Sequence, residues 1–239
     1  MLGGTRGGQR LWGYGLLGLA LLLLVAALPS LVSAWTRAPA EPLIDALRQG
    51  RDLSLAELDW AAARLEEARA RAPGAQTLGD RALVRLEHLQ RRAELDGEVA
   101  LAEARSEVAK AKAELEAALA RAPARPHFWL RRAYADLMLG VAEPEVGPIL
   151  VQARRTAPTR RQMIFRRIEL SLLAWPALTP GVRRDLAQDL RLAWRLYPPG
   201  VAKRARMSRR VEALRDALAG DAEALSRLEK ELQRLAPGS

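Results

Sequence analysis

Side chains that could carry out a reaction are few in this chain of 239 residues. Cysteine is absent, which excludes a thiol nucleophile, a disulfide framework, Cys-ligated zinc or iron–sulfur sites and a lipidated cysteine. The two histidines, His88 and His127, are too few for a His-rich metal site, and neither stands at a recognisable spacing from another histidine or a serine. Carboxylates do come in pairs, at Glu66-Glu67, Glu114/Glu116 and Asp185/Asp189. Each pair lies among Arg or Lys at helical spacing, where solvated ion pairs account for it better than acid–base catalysis. His-Glu-x-x-His, Gly-x-Ser-x-Gly, the phosphate loop and the calcium loop are all missing from the sequence. The expectation is a protein that is not an enzyme and holds no cofactor.

What remains is positive charge. There are 38 Lys+Arg against 28 Asp+Glu, a formal net charge of +10, which favours an anionic partner. The excess is local. Residues 1–40 carry three arginines and no acid, residues 41–122 carry 13 basic and 16 acidic side chains, and residues 123–153 balance at three each. Residues 154–216 carry 16 basic against 5 acidic, and residues 217–239 carry three against four. Within the basic stretch the arginines are paired: Arg154-Arg155, Arg160-Arg161, Arg166-Arg167 and Arg183-Arg184, followed by Lys203-Arg204, Arg206 and Arg209-Arg210. Five acids are too few to neutralise them, so these four pairs form a candidate binding surface. Trp175, followed by Pro176, is expected to be exposed and to join them. Trp60, Trp129 and Trp194 sit at apolar-face spacing and are expected in the core.

Two kinds of element must position this surface. The first is a membrane segment. Leu11 to Ala34 is a run of 24 residues without a charge, long enough as a helix, at roughly 36 Å, to cross a hydrocarbon core of about 30 Å. Arg6 and Arg10 precede it, and Trp12, Tyr14 and Trp35 lie near its ends, as interfacial aromatics do. A cleaved signal peptide is the competing reading, with small residues at Val32-Ser33-Ala34 and Pro29 where the apolar run should break. The length and the bracketing aromatics favour a retained anchor. Two arginines before the run against Arg37 after it orient the remainder outside the cytoplasm, in the periplasm of a cell with two membranes.

The second kind is the amphipathic helix. Val and Ile are sparse beside Ala, Leu, Arg and Glu, and alternating β-branched runs are missing. Apolar residues recur at three and four as Leu55, Leu58, Ala62 and Leu65, as Leu78, Leu83, Leu86 and Leu89, and as Leu186, Leu190, Ala193 and Leu196. Breaks are expected at Pro39–Pro42, Pro73-Gly74, Asp96-Gly97, Pro123–Pro126, Pro144–Pro148, Pro158-Thr159, Pro176–Pro180 and Pro198-Pro199-Gly200. Ser54 with Glu57 has capping-box spacing, and Thr179-Pro180 supplies an N-cap with proline at the first helical position. Four segments end alike: Ala61, Leu65, Ala68, Pro73; Ala111, Leu115, Ala118, Pro123; Val146, Leu150, Ala153, Pro158; and Leu186, Leu190, Ala193, Pro198. A weaker fifth ending is Leu225, Glu229, Leu232, Pro237. The prolines are 50, 35, 40 and 39 residues apart.

This pattern resembles the second helix of the tetratricopeptide repeat (TPR), with Leu130, Ala133, Tyr134 and Leu137 as a loose match to the first; only the 35-residue spacing fits the 34-residue period of that family. The resemblance implies an all-α protein of irregular TPR-like antiparallel helix hairpins, an α-solenoid, behind one N-terminal transmembrane helix. The expected organisation is a cytoplasmic N-terminus (1–10), the anchor (11–34), a linker with a short helix (35–53), acidic first repeats (54–122) and TPR-like repeats with a basic surface (123–239). The Pro-His-Phe-Trp start at Pro126, the paired arginines and the Trp-Pro turn resemble small TPR proteins that accompany surface-polysaccharide polymerisation and export. That likeness implies a scaffold whose partner is a protein of the envelope-assembly machinery. Direct binding of an acidic polysaccharide is the alternative, and binding of anionic lipid or nucleic acid by a cytoplasm-facing domain is the further one.

Overall fold

The structure, a computed structural model, describes residues 6–97, 99–141 and 143–235. All the regular elements among them are helices. They fall into two compact units, Met1–Gly97 and Glu98–Ser239.

The first unit begins with α1 (Arg6–Arg37), a helix of 32 residues. Every side chain from Leu16 to Leu31 is exposed, as a helix apolar on all sides must be when no protein surrounds it, and the segment is long and apolar enough to cross a membrane. The side chains of Trp12 and Tyr14 lie outside the described residues, whereas Trp35 is 81% exposed. Pro29, where the competing signal-peptide reading expects the apolar run to break, sits inside the helix. The helix also passes beyond Ala34 into the fold. Ser33 is buried, and its hydroxyl lies 2.8 Å from the Ala68 carbonyl and 3.0 Å from that of Ala72. After a 3-10 turn at Ala38–Ala40 come α2 (Glu41–Arg48), α3 (Leu55–Arg71) and α4 (Ala75–Asp96), with Ile44, Leu47, Leu58, Leu65 and Leu83 in the core. Asp80 of α4 is fully buried; Arg37 reaches it at 3.1 Å, Arg48 at 2.8 Å and Gln76 at 2.9 Å. The end of α1 is thereby tied to α2 and α4.

The α3 start is the capping box expected from the sequence. The Ser54 hydroxyl accepts from the Glu57 N–H, and the Glu57 carboxylate accepts from the Ser54 N–H at 2.8 Å. Donation from the Ser54 hydroxyl and N–H holds the Glu57 carboxyl below its ordinary range. A folded-state value below the unfolded one gives a contribution that is present at neutral pH and lost as pH falls through the lowered value. Ser54→Ala is expected to cost about 1 kcal/mol in denaturant unfolding at neutral pH, and the gap from the parent should shrink on acidification. An equal gap at both pH values would dissociate the cap from the Glu57 charge. Farther along α3, Ala62 is exposed and the stripe runs through Leu58, Ala61, Leu65 and Ala68.

The second unit holds α5 (Leu101–Arg121), α6 (Pro126–Met138), α7 (Glu143–Thr156), α8 (Arg161–Ala174), α9 (Pro180–Leu196), α10 (Pro198–Met207), α11 (Val211–Leu218) and α12 (Ala222–Arg234), with a 3-10 turn at Trp175–Ala177. The expected break at Asp96-Gly97 separates α4 from α5, and Gly97 takes φ +76° there, a conformation that glycine adopts without a Cβ penalty. Pro144–Pro148 is not a break: both prolines lie in the first half of α7. From α5 to α12 each helix packs on its successor, and α6 also meets α8, α7 meets α9, α9 meets α11 and α10 meets α12. At the α7–α9 contact a Cβ on Gly147 would stand 2.9 Å from Leu178 and Val182, so the small residue sets how closely the helices approach.

All twelve residues of the four recurring small/apolar-Leu-Ala triplets are 0% exposed. Helices α3, α5, α7 and α9 each end two residues ahead of the expected proline. The fifth copy is read one residue late in the sequence. Helix α12 buries Ala224, Leu228 and Glu231, while Glu229 is exposed and Leu225 and Leu232 are only half-buried. Ala224 and Leu228 belong to the core of this unit, and the Asp221 carboxylate, accepting from the Ala224 N–H at 2.9 Å, starts the helix there. Pro237 lies outside the described residues. Thr179 stands at the N-cap of α9 with Pro180 following, but its side chain makes no capping bond.

Candidate basic interface

The arginines singled out from the sequence separate into two groups. Arg167, expected on the surface, is 0% exposed. Its guanidinium clasps Asp189 of α9 through two bonds of 2.6 and 3.0 Å and donates to the Ala157 carbonyl at 2.8 Å. Arg154, half-buried, reaches the same Asp189 at 3.6 Å and bonds Gln188, so one carboxylate joins α7, α8 and α9. Arg183 donates to the Trp175 and Pro176 carbonyls at 3.1 and 2.6 Å. Trp175 is itself a correction. It is only 5% exposed, because the 3-10 turn closed by Arg183 folds its indole into the core. Trp194 is buried as expected, Trp129 is half-buried with its indole N–H 2.7 Å from the Pro123 carbonyl, and Trp60 is 41% exposed under the Arg64 guanidinium.

The second group is outward. Arg155, Arg160, Arg161, Arg166 and Arg184 are exposed and have no ion-pair partner among the described residues. Arg155, Arg160 and Arg161 stand at the turn from α7 to α8, where Arg160 is the N-cap residue and no side chain caps the helix. The α5–α6 and α7–α8 turns share one edge of this unit, since residues of both line a single cleft, and the α9–α10 turn is the next in the same alternation along the chain. No Asp or Glu occurs at residues 117–135, 146–168 or 190–211, the stretches that build that edge. By contrast, the α6–α7 turn carries Glu143 and Glu145. An open cleft of about 350 Å³ lies between the first two proline turns, lined by Arg125, His127, Thr156, Thr159 and Arg160 among others. Arg125 is exposed and is the N-cap of α6, again without a side-chain cap. The His127 ring stands edge-on at 4.4 Å against Phe128, which is fully buried.

Neither Arg125 nor the cleft figures in the sequence-based candidate set. The charge count by segment divides between residues 122 and 154 and so separates two turns that the helix alternation brings together. Elsewhere His88 lies 3.0 Å from Asp59, linking α4 to α3. Among the described residues no three His, Asp or Glu side chains group as a metal cage would require. No protein-family model, curated protein or solved structure matches the chain.

Proposed function

We propose that this chain is a non-enzymatic, membrane-anchored interaction protein, in which α1 stays in the membrane and a TPR-like helical array in the periplasm docks an anionic partner of the envelope-assembly or surface-polysaccharide machinery. The observation that carries this reading is the cluster of exposed, unneutralised arginines at the α7–α8 turn and on α8. Such a cluster concentrates counter-charge and steers an acidic partner. The succession of contacts between neighbouring and next-but-one helices supports the solenoid reading, since each hairpin covers the next and leaves an extended flank for a partner.

Retention of the anchor is supported by Ser33. Cleavage after Ala34 would unwind a continuous helix and take away a buried side chain that bonds two α3 carbonyls. The intact mass of the membrane-extracted protein is expected to include residues 1–34, and a C-terminal reporter fusion is expected to be active only outside the cytoplasm. A reporter active in the cytoplasm would end the export model, and a mass beginning at Trp35 would end the anchor. An acidic envelope protein cross-linked in cells should be lost when Arg155, Arg160, Arg161 and Arg166 are reversed to Glu. Unchanged capture would remove the basic cluster from the interaction.

A further inference from the structure

We infer that the proline-turn edge of residues 98–239 is a binding site for an acidic polysaccharide, with carboxylate groups of the polymer entering the cleft between Arg125 and Arg160. The inference deepens the reading above by naming the partner's chemistry, and it rests on that reading for the compartment in which the domain meets its ligand.

Charge is the first argument. The cleft lies on an edge whose three sequence stretches contain no acid at all, and both of its guanidiniums are exposed with no partner among the described residues. The planar guanidinium fork matches a carboxylate with two parallel hydrogen bonds. The starts of α6 and α8 carry no side-chain cap, and the helix dipole there favours an anion. Extension is the second argument. Arg155 and Arg161 continue the positive charge past the cleft along the α7–α8 turn, and Arg195, exposed near the end of α9, carries it to the next turn. A row of this kind suits a linear polyanion better than one small anion.

The lining decides among polyanions. A protein partner is held at its hot spots by aromatic or aliphatic anchors in desolvated pockets, and the cleft offers none. Instead it presents guanidinium, imidazole and the Thr156 and Thr159 hydroxyl oxygens, groups that suit a ligand rich in hydroxyls. No Trp, Tyr or Phe lines it to give the stacking platform that single-stranded nucleic acid uses, and its one exposed apolar side chain, Ala124, is too small to anchor in a bilayer. About 350 Å³ lies at the lower end of ordinary ligand clefts and is room for one sugar ring bearing a carboxylate.

The test uses the full chain in detergent, with polygalacturonate as probe and dextran of similar length as the uncharged control. The parent is expected to bind polygalacturonate with an affinity that falls as salt rises, and not to bind dextran. Arg125→Ala with Arg160→Ala is expected to weaken binding at least tenfold and to flatten the salt dependence. Arg227→Ala, exposed on α12, should stay within twofold. Both cleft arginines are exposed and unpartnered, so melting curves of the double variant should overlay the parent's. Parental affinity in the double variant, equal binding of dextran, or tighter binding of duplex DNA or phosphatidylglycerol vesicles would each overturn the site. The reporter fusion answers separately. A cytoplasmic reporter with intact, Arg125- and Arg160-dependent binding would sink the export reading and leave the site standing.

Discussion

Asp189→Ala is expected to destabilise the second unit by about 3–5 kcal/mol, the cost of leaving a buried charge without its partner. Arg167 is 0% exposed and Asp189 1% exposed, so water cannot replace the lost carboxylate without opening the contact between α8 and α9. The two direct bonds of 2.6 and 3.0 Å would go together, and Arg154 would lose its approach to the same oxygen. At this size the melting temperature should drop on the order of 10 °C. Arg167→Met should cost a similar amount from the other side, because the carboxylate then stays buried with only Arg154 nearby. The double variant Arg167→Met with Asp189→Leu should regain most of the loss, since desolvation of both charges is removed at once. It should remain about 1 kcal/mol short, because the Ala157 carbonyl, which Arg167 bonds at 2.8 Å, loses its donor. A double variant whose loss equals the sum of the two singles would refute the pairing. A change within half a kcal/mol for Arg167→Met would return that residue to the solvated surface.

This pair also shows where sequence reading stops. Arg166 and Arg167 are adjacent and alike in type, yet one is exposed and the other is the largest fully buried side chain among the described residues. A count of charges treats them equally; helical phase does not. Arg167 shares a face with Ile164, Ile168 and Ser171, and Asp189 lies among Leu186, Leu190 and Ala193, all of them buried. A carboxylate and a guanidinium, each set into an apolar stripe on consecutive antiparallel helices, were visible signals of a buried bridge. The helical class, the long apolar start, the capping box at Ser54 and four recurring triplets were legible because each rests on neighbours within one or two turns. Trp175 was misjudged because its position depends on Arg183 closing a turn eight residues away. The cleft was missed for a similar reason: Arg125 and Arg160 are 35 residues apart, and only the reversal of helix direction brings their turns together.

The register of the array can be tested at its leucines. Leu115, Leu150 and Leu190 each occupy the middle of a triplet and are 0% exposed. Truncation of any of them to alanine is expected to cost about 2–5 kcal/mol, through lost transfer energy and the cavity left in a packed interface. Chemical denaturation of the full chain, followed through a probe in the second unit, would measure it. The sequence pattern and the structure disagree about which leucine of α12 belongs in this series. By the pattern the middle position is Glu229, between Leu225 and Leu232, while in the structure Glu229 is exposed and Leu228 is 0% exposed. Leu228→Ala should therefore fall in the range of the three inner leucines. Leu232→Ala, at a half-buried position, should cost about 1 kcal/mol or less, in proportion to the smaller area removed from water. Equal costs for Leu228 and Leu232 would reject the register in which Leu228 faces the core. A large cost at Leu228 alone would make α12 a packed member of the array, because a helix merely resting on the end of the unit has no cavity to open.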